Sequence, residues 1–96
     1  MAMQPPPEVP PDQSLITYPC LFPIKVMGAN APGFVDALTA VAQAFDATLD
    51  ATRIELRPSK AGSYLGVTLH VNVNSREQLN ELYRTLSTHP MVKVVL

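Results

Sequence analysis

The stretch YLGVTLHVNV at residues 64–73 decides the fold, because apolar side chains occupy every second one of its positions. The apolar set is Leu65, Val67, Leu69, Val71 and Val73. The set between them is Tyr64, Gly66, Thr68, His70 and Asn72. A period of two places successive side chains on opposite faces of a strand. The stretch therefore predicts a long β-strand with one face in the core and the other face open.

Apolar residues recur at helical spacing both before and after this stretch of the sequence. The upstream set is Phe34, Leu38, Val41, Ala42 and Phe45. Asn30 is the expected N-cap of this first helix, and Pro32 is tolerated in its first turn. Downstream, residues 75–78 form an S-x-x-Q capping box, and the apolar face that follows is Leu79, Leu82, Tyr83 and Leu86. The pattern predicts one amphipathic helix before the strand and another after it.

Three further stretches predict strands. Residues 20–27 form an apolar run, and residues 51–57 alternate, with Ile54 and Leu56 on one side. Residues 59–63 make a hairpin loop that joins the alternating stretch to the central strand. Residues 91–96 predict the last strand, and its Lys93 and Val95 are expected on the sheet face opposite the helices. The order β-α-β-β-α-β predicts an α+β, ferredoxin-like sandwich with a four-stranded antiparallel sheet in order 4-1-3-2 and both helices on one face.

The chain length of 96 residues fits a single small domain. Five prolines fall in the first eleven residues, and proline lacks the amide donor that a sheet requires. We therefore expect residues 1–17 to form a disordered proline-rich arm and residues 18–96 to form the folded domain. No apolar run is long enough to span a membrane, so we expect no membrane association and a cytoplasmic protein.

The residue types that carry most chemistry are few and scattered. Cys20 is the single cysteine, and neither His70 nor His89 stands at metal-ligand spacing from it or from the other histidine. The predicted loop at residues 28–33 holds no Arg or Lys that could grip phosphate, as acyl-phosphate hydrolases of this fold require. We therefore expect no catalytic residue, no metal, no cofactor and no enzymatic activity.

The sheet face opposite the helices is predicted to be mildly basic. It is expected to hold four of the seven Lys and Arg residues together with one histidine: Lys25, Arg53, Arg57, His70 and Lys93. One interpretation is a solvated face with weak ion pairs. The other is a platform for an anionic ligand or a partner. Nucleic acid is an unfavoured ligand, since the predicted central strands lack the stacking aromatic residues of RNA-recognition modules.

Three segments resemble the YbeD-like family of small bacterial proteins of unknown function: KVMG at 25–28, PSKAGSY at 58–64 and VKVVL at 92–96. The resemblance spans about residues 18–96. It implies the ferredoxin plan of ACT modules, which regulate amino-acid metabolism. Members of the family are often encoded beside the lipoyl (octanoyl) transferase. That association implies a regulatory tie to lipoate metabolism.

The similarity to ACT modules also implies a ligand site between the first strand and the first helix, at Gly28, Asn30, Pro32, Gly33 and Phe34. A helix N-terminus offers free N–H groups to a carboxylate. Ordinary capping by Asn30 is the alternative. We therefore expect a non-enzymatic regulatory or adaptor domain that binds a small ligand or a partner enzyme. A protein that binds nucleic acid or another anion on its basic face is the alternative. We also expect a homodimer, formed through the apolar last strand.

Overall fold

The four strands form one antiparallel sheet in a computed structural model that describes residues 17–96. The elements are β1 (Cys20–Ala29), α1 (Phe34–Gln43), β2 (Ile54–Pro58), β3 (Tyr64–Val73), α2 (Arg76–Ser87) and β4 (Val92–Val95). The sheet order is β2-β3-β1-β4, which is the predicted order read from the other edge. The predicted fold is confirmed. Apart from Thr17, the predicted arm lies outside the described residues.

The core lies between one face of the sheet and the two helices. The five apolar residues of β3 that alternation assigned to this face are all buried: Leu65, Val67, Leu69, Val71 and Val73. The helices contribute the buried residues Phe34, Leu38, Ala42, Leu79, Leu82, Tyr83 and Leu86. None of the helices of residues 17–96 lies on the opposite face of the sheet, and we call it the open face. The apolar face of β3 and the apolar faces of both helices thus pack together in the core, as the sequence predicts.

The helix starts use different chemistry. At α2 the Ser75 hydroxyl accepts a hydrogen bond from the Gln78 amide N–H at 3.1 Å, as predicted. The Gln78 side chain accepts from Asn74 N at 2.6 Å, so the second half of the box closes one residue earlier than expected. At α1 the predicted Asn30 cap is wrong. The N-cap is Gly33, whose φ of 84° suits glycine, and no side chain from the described residues caps the helix.

The start of the second strand is also corrected. Residues Ala51–Arg53 form a short 3₁₀ helix, and β2 begins only at Ile54. Asp50 caps this turn, since its carboxylate accepts from Thr52 N at 3.0 Å. Local capping by an aspartate therefore competes successfully with the strand alternation of residues 51–53. The consequence is that Arg53 does not lie on the open face.

A bulge in β4 overturns the predicted face of Val95. In the pairing with β1, Met27 is opposite Val94, whereas Gly28 is opposite Val92, which leaves Lys93 as an extra residue. A bulge of this kind shifts the alternation by one position. Val95 consequently packs against the core, and Val94 is 41% exposed.

Candidate functional site

Cross-strand pairing sets the side chains of the open face in rows. One row runs Met27, Gly66, Arg57 across β1, β3 and β2. The next row runs Lys25, Thr68, Glu55. On the other side of β1, Val94 pairs with Met27, and Leu96 N donates to the Lys25 carbonyl at 2.7 Å. The open face is therefore apolar toward β4 and charged toward β2.

Two depressions on this face meet in the row that contains Gly66. The larger has a volume of about 660 Å³ and includes Lys25, Thr68 and His70 in its lining. The smaller, of about 410 Å³, extends to Lys60 and Tyr64 at the hairpin. Both are lined by Met27, Gly66 and Arg57. We call the continuous depression the trough.

Gly66 opens the trough without any backbone requirement for glycine. A Cβ built at this position would meet the Arg57 carbonyl oxygen at 3.4 Å, which is ordinary van der Waals contact. The positive φ values of the described chain belong to Gly33 and Gly62, so Gly66 needs no left-handed conformation. Glycine inside a strand weakens the strand and often marks a close approach by a ligand or another backbone. The missing side chain leaves bare backbone between Met27 and Arg57.

Three cations around the trough have no acidic partner within residues 17–96. They are Lys25, Arg57 and Lys60; the ion pairs in that part of the chain join other residues. The acid nearest to them along β2, Glu55, contacts His70 Nε2 through Oε2 at 2.9 Å. The trough therefore combines unpaired positive charge with the exposed apolar surface of Met27 and Tyr64.

Arg53 takes part in a structural cluster between α1 and β2. Its guanidinium donates to Asp46 Oδ2 at 3.0 Å and to Thr48 Oγ1 at 2.7 Å. Asp46 also accepts from Asn72 N at 2.9 Å and from Thr48 N at 3.0 Å. Burial raises the pKa of Asp46, but the hydrogen bonds from Thr48, Asn72 and Arg53 outweigh it and lower the pKa to about 2. We call this group the Asp46 cluster.

The five basic residues predicted for the open face thus lie in three different places. Lys25, Arg57 and His70 line the trough. Arg53 belongs to the Asp46 cluster, and its predicted place on the open face is wrong. Lys93 is exposed at the β4 bulge, in a separate depression of about 360 Å³ beside Ala29.

The residues predicted at the loop before α1 have visible structural roles. A Cβ at Gly28 would meet the Phe34 ring at 2.6 Å, and Phe34 is fully buried. Asn30 N donates to the Ser63 carbonyl at 3.0 Å, and its side-chain amide donates to the Gly62 carbonyl at 3.1 Å. Pro32 and Gly33 are exposed. The structure brings the five together around one loop, and their role in ligand binding stays a prediction.

Sequence reasoning missed part of the trough. The alternation places Lys60 in the hairpin loop and makes Tyr64 and Gly66 outward positions of the central strand, without bringing the three together. The available signal was Gly66 itself, because a strand that otherwise alternates regularly has no conformational need for glycine there. Within the described part of the chain no group of three or more His, Cys, Asp and Glu could hold a metal. No helix among residues 17–96 has the length and apolar character to span a membrane.

Comparison with known proteins gives a close match along nearly the whole chain. A family model described as "Protein of unknown function (DUF493)" matches residues 13–96. A UPF0250 protein of Leptothrix cholodnii is 56% identical over 89 residues, which cover 93% of this chain and 98% of the relative. A UPF0250 protein of Bordetella pertussis is 54% identical over 88 residues, covering 92% and 97%.

Two solved structures share the fold at low sequence identity. The ACT domain from GTP pyrophosphokinase of Chlorobium tepidum superimposes with a TM-score of 0.63 at 22% identity, over 80% of this chain and 95% of that domain. A protein from H. pylori gives a TM-score of 0.72 at 18% identity, over 100% and 98% of the two chains. The likeness confirms the expected ACT-like ferredoxin fold.

Proposed function

Because the chain belongs to the DUF493, or UPF0250, family of bacterial proteins of unknown function, whose fold here is ACT-like, we propose that it is a non-enzymatic regulatory or adaptor domain. It acts by binding a small ligand or a partner enzyme through the trough. The observation that carries the proposal is a set of cations with no acidic partner within residues 17–96, Lys25, Arg57 and Lys60, beside the exposed apolar side chains of Met27 and Tyr64.

The fold and the surface chemistry support a binding role in different ways. A structural neighbour is an ACT domain from an enzyme, GTP pyrophosphokinase, which is consistent with a module that serves catalysis carried out elsewhere. Unpaired cations favour an anionic ligand or an acidic partner surface. The proposal includes the tie to lipoate metabolism that the resemblance to the YbeD-like family implies.

Affinity capture from the cytosol of the source bacterium tests this proposal. Tagged protein is compared with an Arg57→Glu variant, and captured proteins and metabolites are identified by mass spectrometry. We expect one enzyme to be enriched by the wild type and lost from the variant. Adding purified wild-type protein to that enzyme should then change its rate, and an enzyme of lipoyl transfer is the expected identity. An unchanged rate for every captured enzyme contradicts the proposal.

A nucleic-acid or polyanion binder is the second candidate, and the three cations of the trough favour it. Such binding weakens steeply with salt because each phosphate contact releases counterions. A fluorescence anisotropy titration of a single-stranded oligonucleotide at two salt concentrations tests it. Binding that depends on Lys25, Arg57 and Lys60 supports this candidate, and absence of binding at low salt excludes it.

A homodimer through β4 stays a proposal, and the bulge changes its test. Val95 packs against the core, so Val95→Glu would disturb folding as well as assembly. In the last segment of the chain, Val94 and Leu96 are the large apolar residues whose side chains are exposed, at 41% and 66%. We expect Val94→Glu to lower the mass measured by light scattering if β4 forms the contact. A monomer mass for the wild type at high micromolar concentration contradicts the dimer.

A further inference from the structure

We infer that the trough binds a small organic anion with a flat, unsaturated ring, whose phosphate or carboxylate lies beside Arg57 and Lys60 and whose ring covers the backbone at Gly66. The inference rests on the proposed function in taking the open face as a ligand-binding surface. It goes further in naming the chemical class and the position of each part of the ligand.

The place of the ring follows from the missing side chain at Gly66. Peptide groups are planar, and without a side chain this part of β3 offers flat, bare backbone between Met27 and Arg57. Met27 and Tyr64 are 38% and 45% exposed and both line the smaller depression. A ring seated on Gly66 would cover apolar surface of both, and Tyr64 can add an edge contact between aromatic rings.

The glycine is informative because steric need does not explain it. Gly28, on the other face of the sheet, shows the contrast, since a Cβ there would lie 2.4 Å from the Met91 carbonyl oxygen. At Gly66 the nearest contact of a Cβ is 3.4 Å. The Cβ of an alanine would fit at this position, and a strand interior does not favour glycine. What a larger side chain would remove is the open volume of the trough.

The place of the acidic group follows from charge. Arg57 and Lys60 line the same end of the trough and have no acidic partner within residues 17–96. Glu55, the acid on the same strand, is held by His70. A guanidinium presents paired N–H donors that match a carboxylate or a phosphate. An anion attached to the ring would therefore neutralise positive charge that has no acidic partner in the described part of the chain.

The dimensions suit a small ligand. The depression at the hairpin end, about 410 Å³, lies within the ordinary range for small-molecule sites. Arg57 is next to Gly66 in the same cross-strand row, so a ring and its acidic substituent can occupy neighbouring positions. Free small molecules and a ring-bearing group on a larger partner share this chemistry, and small probes test the shared part.

An NMR titration of ¹⁵N-labelled protein, followed at the Gly66 amide, tests the inference. The probes are phenyl phosphate and benzoate, which combine a ring with an anion. Inorganic phosphate supplies the anion alone and phenol supplies the ring alone, and we call these two compounds the half probes. We expect at least one combined probe to shift Gly66 and its neighbours, and to bind about tenfold more tightly than either half alone. Comparison of the two combined probes shows whether phosphate or carboxylate is preferred.

Matched variants locate the contacts. Gly66→Val should abolish the shifts by filling the trough, whereas Asn72→Val, on the same strand and face but outside both depressions, should leave them intact. Arg57→Gln should weaken the combined probe about tenfold. Arg76→Gln, at the start of α2, should not. If Gly66→Val does not fold, the affinities of Arg57→Gln and Arg76→Gln for the combined probe still test the inference.

The inference is overturned if neither combined probe shifts Gly66, if a half binds as tightly as the whole, or if Arg57→Gln binds like the wild type. Such a result leaves the proposed function to its capture experiment, which does not depend on the ligand. Conversely, probe binding at Gly66 together with unchanged rates of every captured enzyme would support the site and contradict the regulatory role.

Discussion

Arg53 and Arg57 lie four residues apart at the two ends of one short segment, and their surroundings differ completely. Arg53 precedes β2 and donates to Asp46 and Thr48 in the Asp46 cluster. Arg57, in β2, lines the trough and has no acidic partner among the described residues. The sequence presents them as equivalent outward positions of one strand. The 3₁₀ helix at Ala51–Arg53 separates them.

The difference shows where this protein uses charge for stability and where charge remains available. In the Asp46 cluster a buried carboxylate is satisfied by two backbone amides, a hydroxyl and a guanidinium. Removal of one member leaves other buried groups unpaired. Around the trough the cations are solvated and contribute little to folding. Stability measurements should therefore separate the two regions, and binding measurements should separate them in the opposite sense.

The largest effect is expected at Asp46. Asp46→Ala should lower the free energy of unfolding by about 3 kcal/mol, because it leaves the Arg53 guanidinium and the Asn72 amide without their buried acceptor. Asp50→Ala is the matched control, since this exposed aspartate caps the 3₁₀ helix and its loss should destabilise the protein clearly less. Urea denaturation measures both. Equal losses would show that burial of Asp46 does not matter.

The two arginines give the next comparison. Arg53→Gln should destabilise by about 2 kcal/mol, because the Asp46 carboxylate loses its cationic partner in a buried place. Arg57→Gln should stay within about 0.5 kcal/mol of the wild type. The same urea measurement checks the pair. A comparable loss at Arg57 would mean that the open face contributes to folding and that the contrast between the regions is false.

Acid should reveal the Asp46 cluster without mutation. The pKa of Asp46 is lowered from 3.8 to about 2, so the unfolded chain takes up this proton at a higher pH than the folded protein does. The stabilisation is therefore complete above about pH 4 and is lost as the pH falls through about 2. Its size is on the order of 2 kcal/mol. The difference in stability between wild type and Asp46→Asn should shrink over that range, and a constant difference would contradict the assignment.

The smallest effect is expected at the contact between Glu55 and His70 on the open face. Glu55→Gln removes the acid that contacts His70, and the Glu55 side chain is 70% exposed. Exposed pairs contribute about 0–1 kcal/mol, so the thermal midpoint at neutral pH should hardly move. Calorimetry of the variant beside the wild type measures this. A loss as large as that of Arg53→Gln would place Glu55 in the structural framework of the sheet.

The fold could be predicted from the sequence because the apolar residues of each core element repeat with the spacing of a strand or of a helix. Leu69 and its alternating neighbours specify the buried face of β3 over ten residues, and no local interaction competes with them. The errors fall where a local cap or a bulge interrupts the alternation of a strand. Asp50 caps a turn and takes Arg53 out of β2. An extra residue at Lys93 moves Val95 to the core.

The candidate site was less predictable because it depends on an absence and on long-range pairing. Gly66 contributes to the trough by what it lacks, and its place between Met27 and Arg57 requires the registers of two strand pairs. Lys60 lies in the hairpin loop and yet lines the same depression as Met27 of β1. Periodicity assigns a residue to a face of a strand but does not give its neighbours across the sheet.

The two hydrogen bonds from Asn30 link the loop before α1 to Gly62 and Ser63 in the hairpin, and the bond to Gly62 spans 32 residues of sequence. Opening of the loop before α1 must break its bonds to Gly62 and Ser63, and loosening of the hairpin must do the same. A ligand that immobilises Lys60 and Tyr64 therefore also protects the loop at Asn30, and by thermodynamic reciprocity whatever holds that loop tightens binding at the hairpin. Amide hydrogen exchange at Asn30 would report occupancy of a surface that Asn30 itself does not touch.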